Sequence, residues 1–205
     1  MNRPGAEQAN LLLGGQGLRR DDPRAFAFDV LLNILGGTFT SRLSHRLREQ
    51  LGYTYGIGAE SSYLRTSGTW GIDTAVFTPR TGAALREIFR ILAELGRRPV
   101  GSDELAASKR NLTRGMPLYF TSNSDIADAF LGLAVNGLPD DWFDGYAAKV
   151  GAVTSADLTT LARTLLARTG ITTVVIGPFA VLRKDLTRLG LGRAEAFDPD
   201  GEPLR

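Results

Sequence analysis

The densest run of chemically capable residues in the sequence is Leu35 to Tyr55, LGGTFTSRLSHRLREQLGYTY. Gly36 and Gly37 break one helical pattern, and a second begins at once and carries Arg48 in its final turn. Gly52 then reverses the chain and Tyr55 opens a strand. Arg48 and Tyr55 lie seven positions apart across that reversal, so a guanidinium fork and a phenol can converge on one place. Such a pair can donate hydrogen bonds to a peptide carbonyl or a developing oxyanion. On spacing alone the simpler reading is an arginine that caps helix carbonyls and a tyrosine that fills the core.

Other chemistries find less support. The chain has one His and no Cys, which removes thiolate zinc sites, disulfide frameworks and thiol nucleophiles. His45 and Glu49 can share a helix face, but neither H-E-x-x-H nor H-x-x-E-H is present, so no metal site is expected. A serine hydrolase needs a base, and the strained G-x-S-x-G turn is missing. Gly14, Gly15 and Gly17 follow a strand without spelling a phosphate-loop motif; a loop that needs positive φ is the better reading. Arg42, Arg46 and Arg48 make a basic helix face, yet few aromatics interleave with it, and nucleic acid is not expected as a partner.

Composition supports an ordinary folded chain. The 205 residues hold 24 Lys plus Arg against 22 Asp plus Glu, a net charge of +2, with 43% hydrophobic and 22% charged residues. A balance so near neutral makes the basic pI uninformative about partners. No apolar run approaches the roughly 18 residues that span a bilayer, so no membrane span is expected. Met1 to Gln8 has no apolar core of a signal peptide, and the chain opens on a strand-like segment as if cut from a longer polypeptide. The sequence leaves cytoplasm and periplasm equally open.

The elements that must position Arg48 and Tyr55 follow from periodicity. A short strand at Asn10–Leu13 precedes a helix opened by Asp22-Pro23 and closed at Gly36-Gly37. A second helix over Ser41–Gln50 turns Leu43 and Leu47 inward. Two strands follow, with Tyr55, Ile57, Ala59, Ser61 and Tyr63 on one face of the first and Trp70, Ile72, Thr74 and Val76 on one face of the second. Thr78-Pro79 opens a helix through Leu95, and Ser102 opens another that Pro117 should kink. Helices are expected over Ser122–Asn136, Asp140–Val150 and Thr154–Leu166, the last with a capping box at Thr154 and Asp157. A strand at Ile171–Ile176 ends the pattern. This order predicts an α+β fold with a mostly antiparallel sheet layered by helices. One domain over residues 1–205 is the simplest division, with a core to about 177 and a loosely packed segment from 178 to 205.

The run around Arg48 resembles the pitrilysin and insulysin metallopeptidases, the inverzincins, whose relatives include mitochondrial processing peptidase. Their pattern is roughly L-G-G-x-F-S-S-R-L-x-x-x-L-R-E-x-x-G-L-x-Y. Here it reads Leu35, Gly36, Gly37, Phe39, Thr40, Ser41, Arg42, Leu43, Leu47, Arg48, Glu49, Gly52 and Tyr55. The glycine stands one or two positions later than in the family, while the Arg48 to Tyr55 spacing is kept. Arg3-Pro4-Gly5-Ala6, Asn136-Gly137-Leu138-Pro139-Asp140-Asp141, Val153-Thr154 and Thr173-Val174-Val175-Ile176-Gly177 extend the similarity along most of the chain.

That resemblance implies the non-zinc domain of such a peptidase, with a processing-peptidase-like α+β fold. It implies that Arg48 and Tyr55 bind the scissile peptide opposite a zinc-bearing H-x-x-E-H domain or subunit, in the same chain or a heterodimer, across a closed chamber. Zinc is then expected in the partner and not here, and this chain alone is expected to be inert. The competing expectation is a catalytically dead structural or assembly subunit of the same fold.

Overall fold

The computed structural model of the protein describes residues 1–192 and 194–204. Its centre is a four-stranded antiparallel sheet: β1 (Gln8–Gln16), β2 (Thr54–Tyr63), β3 (Gly68–Phe77) and β4 (Thr172–Ile176), in the order β2-β3-β1-β4. The α+β expectation is therefore met. Alternation decides which face is covered. Leu11, Leu13, Ile57, Ala59, Trp70, Ile72 and Val76 point into the core. On the other face Leu12 lies opposite Asp73 on one side and next to Val174 on the other, and all three are exposed.

Helices cover one face only. α1 (Ala25–Gly36) packs on β2 and is buried nearly all round, because α3 (Ser102–Gly115), α5 (Tyr146–Ala152) and α6 (Ser155–Leu165) close over it. Between α1 and β2 the chain makes a π-helix, Ser44–Gln50, that turns Leu43 and Leu47 inward. α2 (Thr81–Arg97) lays Leu85, Ile88, Ile91, Leu92 and Leu95 into the same core and rests on α6. Each such side chain contributes about 1.5–3 kcal/mol on burial. A 3-10 turn at Met116–Phe120 leads into α4 (Asn123–Asn136), capped by the Ser122 hydroxyl accepting from the Asp125 amide and ended by Gly137 at φ 66°. The Thr154–Asp157 capping box opens α6 as expected.

Several expectations change. The strand at Asn10–Leu13 runs on to Gln16, and none of Gly14, Gly15 and Gly17 has positive φ. They are needed for closeness: a Cβ on Gly14 would sit 2.5 Å from the Trp70 carbonyl oxygen, and one on Gly15 2.7 Å from that of Gly170. Gly36 and Gly37 do not form a left-handed cap either, since Gly37 has φ −78°. A Cβ on Gly36 would meet Ala59 Cβ and N at 2.6 Å, so this glycine lets α1 approach β2. The expected α-helix at Ser41–Gln50 is mostly π, a widening that the Leu43/Leu47 spacing does not distinguish. The helix expected from Asp140 begins only at Tyr146. Phe179–Arg188 forms a further helix, α7, whose Leu182 is buried beside Gly177. The amide of Asn2 also bonds the Phe197 carbonyl, so the tail is held to the N-terminus.

Candidate functional site

The corner between the π-helix and β2 is built by its backbone. At the helix end the amide of Leu51 bonds the Arg46 carbonyl, that of Gly52 the Arg48 carbonyl, and that of Tyr53 the Leu47 carbonyl at 2.8 Å. This crossed pattern needs a left-handed residue, and Gly52 supplies it at φ 60°. The chain leaves directly into β2.

Three arginines lie in or just before this helix, and their fates differ. Arg42 makes two hydrogen bonds to the Glu104 carboxylate, at 2.8 and 2.7 Å. Arg46 bonds Glu87 at 2.8 Å and Gln50 at 2.9 Å. That bond, with help from Arg90, holds the Glu87 carboxyl below the usual carboxylate range. Among the described residues Arg48 has no such tether to another element. Its nearest carboxylate is its neighbour Glu49 at 3.3 Å, and its guanidinium stands over the Phe39 ring, 4.9 Å from the centroid. Phe39 is 78% exposed.

Tyr55 is 92% exposed. The even alternation expected for β2 would have put it on the buried face with Ile57. A β-bulge intervenes: Thr54 pairs with Val76 and Ile57 with Thr74, so Tyr55 and Gly56 occupy the place of one residue. Thr54 and Ile57 are the buried neighbours, and Tyr55 is turned outward. Two hydroxyls hold the bulge. Thr54 Oγ1 donates to the Gly56 carbonyl at 2.7 Å and accepts from the Gly56 amide at 3.1 Å. The buried Thr74 hydroxyl lies 2.9 Å from Thr54 Oγ1 and 2.8 Å from the same carbonyl.

The arrangement places a weakly tethered cation and an outward phenol on either side of one turn. Sequence reading missed Phe39, Thr54 and Thr74 as supports. Phe39 was visible as the aromatic of the Gly-Gly-x-Phe run, whereas Thr74 reaches the bulge only through strand pairing. His45 is exposed and its Nε2 lies 3.1 Å from Gln50 Nε2. Among the described residues no group of three or more His, Cys, Asp or Glu could hold a metal ion, so the donor set does not fit zinc within this chain. No helix is long and apolar enough to cross a membrane among the described residues.

This one-sided antiparallel sheet, without a metal cluster among the described residues, has close counterparts in solved structures. It superposes on the crystal structure of a peptidase M16 inactive domain from Pseudomonas fluorescens with a TM-score of 0.77 and 25% identity, covering 84% of this chain and 42% of that one. The architecture is thus that of a peptidase inactive-type domain. Residues 1–112 match the family model described as the peptidase M16 inactive domain, and the chain belongs to that family. An uncharacterized zinc protease of Bacillus subtilis is 32% identical over 118 residues, 58% of this chain and 29% of that protein. One of Streptomyces coelicolor is 26% identical over 172 residues, 84% of this chain and 37% of that protein. The chain thus spans about a third of the length of the curated relatives it matches.

Proposed function

We propose that this domain is the substrate-binding, metal-free part of a zinc-dependent endopeptidase, closing one side of its proteolytic chamber. One observation carries the reading: Arg42 and Arg46 are locked to carboxylates on other elements, while among the described residues half-buried Arg48 meets only the adjacent Glu49 at 3.3 Å and Tyr55 stands exposed. A donor pair set by its backbone, with only Glu49 and the Phe39 ring beside the guanidinium, suits a ligand with acceptor oxygens. A peptide bond under attack develops such an oxygen, and preorganised donors stabilise it.

The open face of the sheet, with Leu12, Asp73 and Val174 exposed in one row, offers a wall for the chamber. Zinc, the hydrolytic water and its base belong to an H-x-x-E-H domain or subunit facing this one. Arg48 and Tyr55 orient the scissile carbonyl and meet its growing negative charge.

The test is zinc content and cleavage of a quenched peptide library, by this domain alone, by its H-x-x-E-H counterpart alone, and by both together. Activity only in the complete assembly, with zinc on the counterpart, is the expected result. An assembly that forms but stays inert would instead mean a structural subunit of the same fold.

A further inference from the structure

A groove of about 780 Å³ opens beside Trp142, between the turn that leads into α1, the loop after α4, and the facing sides of α5 and α6. Ligand pockets span about 300–1,000 Å³. Its floor is aromatic. The Phe26 and Trp142 rings are stacked, with centroids 5.3 Å apart, and both residues are buried. Pro23, Leu138, Pro139, Val153 and Leu161 make the sides apolar.

The charged side chains around the groove are committed within the fold, with one exception. Arg20 bonds Asp29 at 2.8 Å and stands 4.5 Å from the Trp142 centroid. Asp22 accepts two hydrogen bonds from the Arg24 guanidinium, at 2.9 and 2.7 Å, and Asp21 pairs with Arg19 at 2.5 Å. Asp157 accepts from the Thr154 amide at 2.8 Å and from its hydroxyl at 2.6 Å, in the capping box of α6. The hydroxyls of Thr160 and Thr164 donate to helix carbonyls. The exception is Lys149. Among the described residues its ammonium meets no carboxylate within 4.0 Å; it stands 5.3 Å from the centroid of the Phe26 ring. Gly145 makes room for this position. The lysine leans back toward the start of its helix, and a Cβ on Gly145 would stand 3.3 Å from Lys149 Cε.

We propose that this groove binds a small apolar monocarboxylate, with its ring or chain against Phe26 and Trp142 and its carboxylate on the Lys149 ammonium. A ring face attracts an ammonium without neutralising it, so Lys149 keeps its charge for an anion. The charge inventory sets the class. One cation with no second uncommitted cation beside it matches a single negative charge, whereas a phosphate needs several donors. A ligand amine finds no carboxylate to pair with, because Asp21, Asp22 and Asp157 are already held. Phe26 belongs to α1 and Lys149 to α5, so a bound acid ties the two helices together and stabilises the folded state. None of these residues lies in the turn that holds Arg48 and Tyr55, and the inference stands apart from the substrate-binding reading.

The test is a titration of the complete assembly with phenylpropionate, phenylpropionamide and phenylpropylamine, read at Trp142 by fluorine NMR after fluorotryptophan labelling. Trp142→Phe assigns the signal. The acid should shift it and bind about tenfold more tightly than the amide, as one charge-assisted hydrogen bond implies. The amine should leave the signal in place. Lys149→Met keeps the stem over Phe26 and should bring the acid down to the level of the amide, while Lys149→Arg retains the preference. Thr160→Trp, which fills the groove from α6, should weaken both. The acid should also raise Tm, and Lys149→Met should remove that rise. No shift at Trp142, equal binding of acid and amide, or an acid preference that survives Lys149→Met overturns the proposal.

Discussion

Phe39 carries Arg48: the guanidinium sits 4.9 Å above a ring that is otherwise open to solvent. The contact orients the cation without neutralising it, unlike the carboxylates that hold Arg42 and Arg46. An exposed cation–π contact is worth about 0.5–1 kcal/mol. Phe39→Ala should therefore lower kcat/KM of the assembly about two- to five-fold, while Phe39→Tyr restores it and Phe39→Leu does not. Full activity in the Leu variant would remove the aromatic face from the account.

The Thr54–Thr74 hydroxyl pair sets where Tyr55 points. Thr74→Val keeps the shape and deletes the hydroxyl, leaving the Gly56 carbonyl with one donor fewer. A loss of about 1–2 kcal/mol in stability is expected, with a fall in turnover as the bulge relaxes. Thr74→Ser should recover both in a melt and a peptide assay. A Val variant that is less stable but fully active would show that the bulge does not aim the phenol.

Two helical glycines should respond with opposite signs. Ala is favoured over Gly in a helix by about 1 kcal/mol. At Gly36 the new Cβ meets the backbone and side chain of Ala59 at 2.6 Å, and overpacking of that kind costs about 1–3 kcal/mol. Gly36→Ala should lower Tm, whereas Gly132→Ala, with open space around it, should raise it. A stabilised Gly36→Ala would mean that α1 and β2 are not in such close contact.

The buried cluster around Asp29 makes an alkaline prediction. Burial, and then the Asp29 carboxylate that accepts its hydroxyl at 2.5 Å, push the Tyr63 phenol far above its usual range. Burial, and then Asp29, push Tyr146 up to about 12. Both folded values exceed the unfolded one of about 10, so the folded state holds these protons more tightly. Their contribution to stability is complete below about pH 10 and is lost as pH rises beyond it. Phenolate absorbance should show two of the five tyrosines silent at pH 10.5–11 (roughly one unit above the usual value) until the chain unfolds. Tyr63→Phe should remove one silent phenol. Five phenols rising together contradict the burial.

Local rules were enough for much of this structure. Helix and strand periods, the Thr154 cap and the Gly52 reversal can be read residue by residue, and with the motif they put Arg48 and Tyr55 on either side of one turn. What escaped depends on chain segments far apart. The bulge that exposes Tyr55 is defined by pairing with Val76 and Thr74, and an unbroken pleat would have buried the side chain. Gly14, Gly15 and Gly36 look like loop or cap glycines until Trp70, Gly170 and Ala59 are seen beside them. The groove beside Trp142 is invisible for the same reason: its walls come from segments that only the fold brings together.

The most direct test of the account is the turnover of the complete assembly with Arg48→Ala and with Tyr55→Phe, measured beside zinc content. Each variant should lose about 1–3 kcal/mol of transition-state stabilisation in kcat/KM with zinc unchanged. Wild-type turnover in both would contradict it, and Arg48 and Tyr55 would then be surface residues without a part in catalysis.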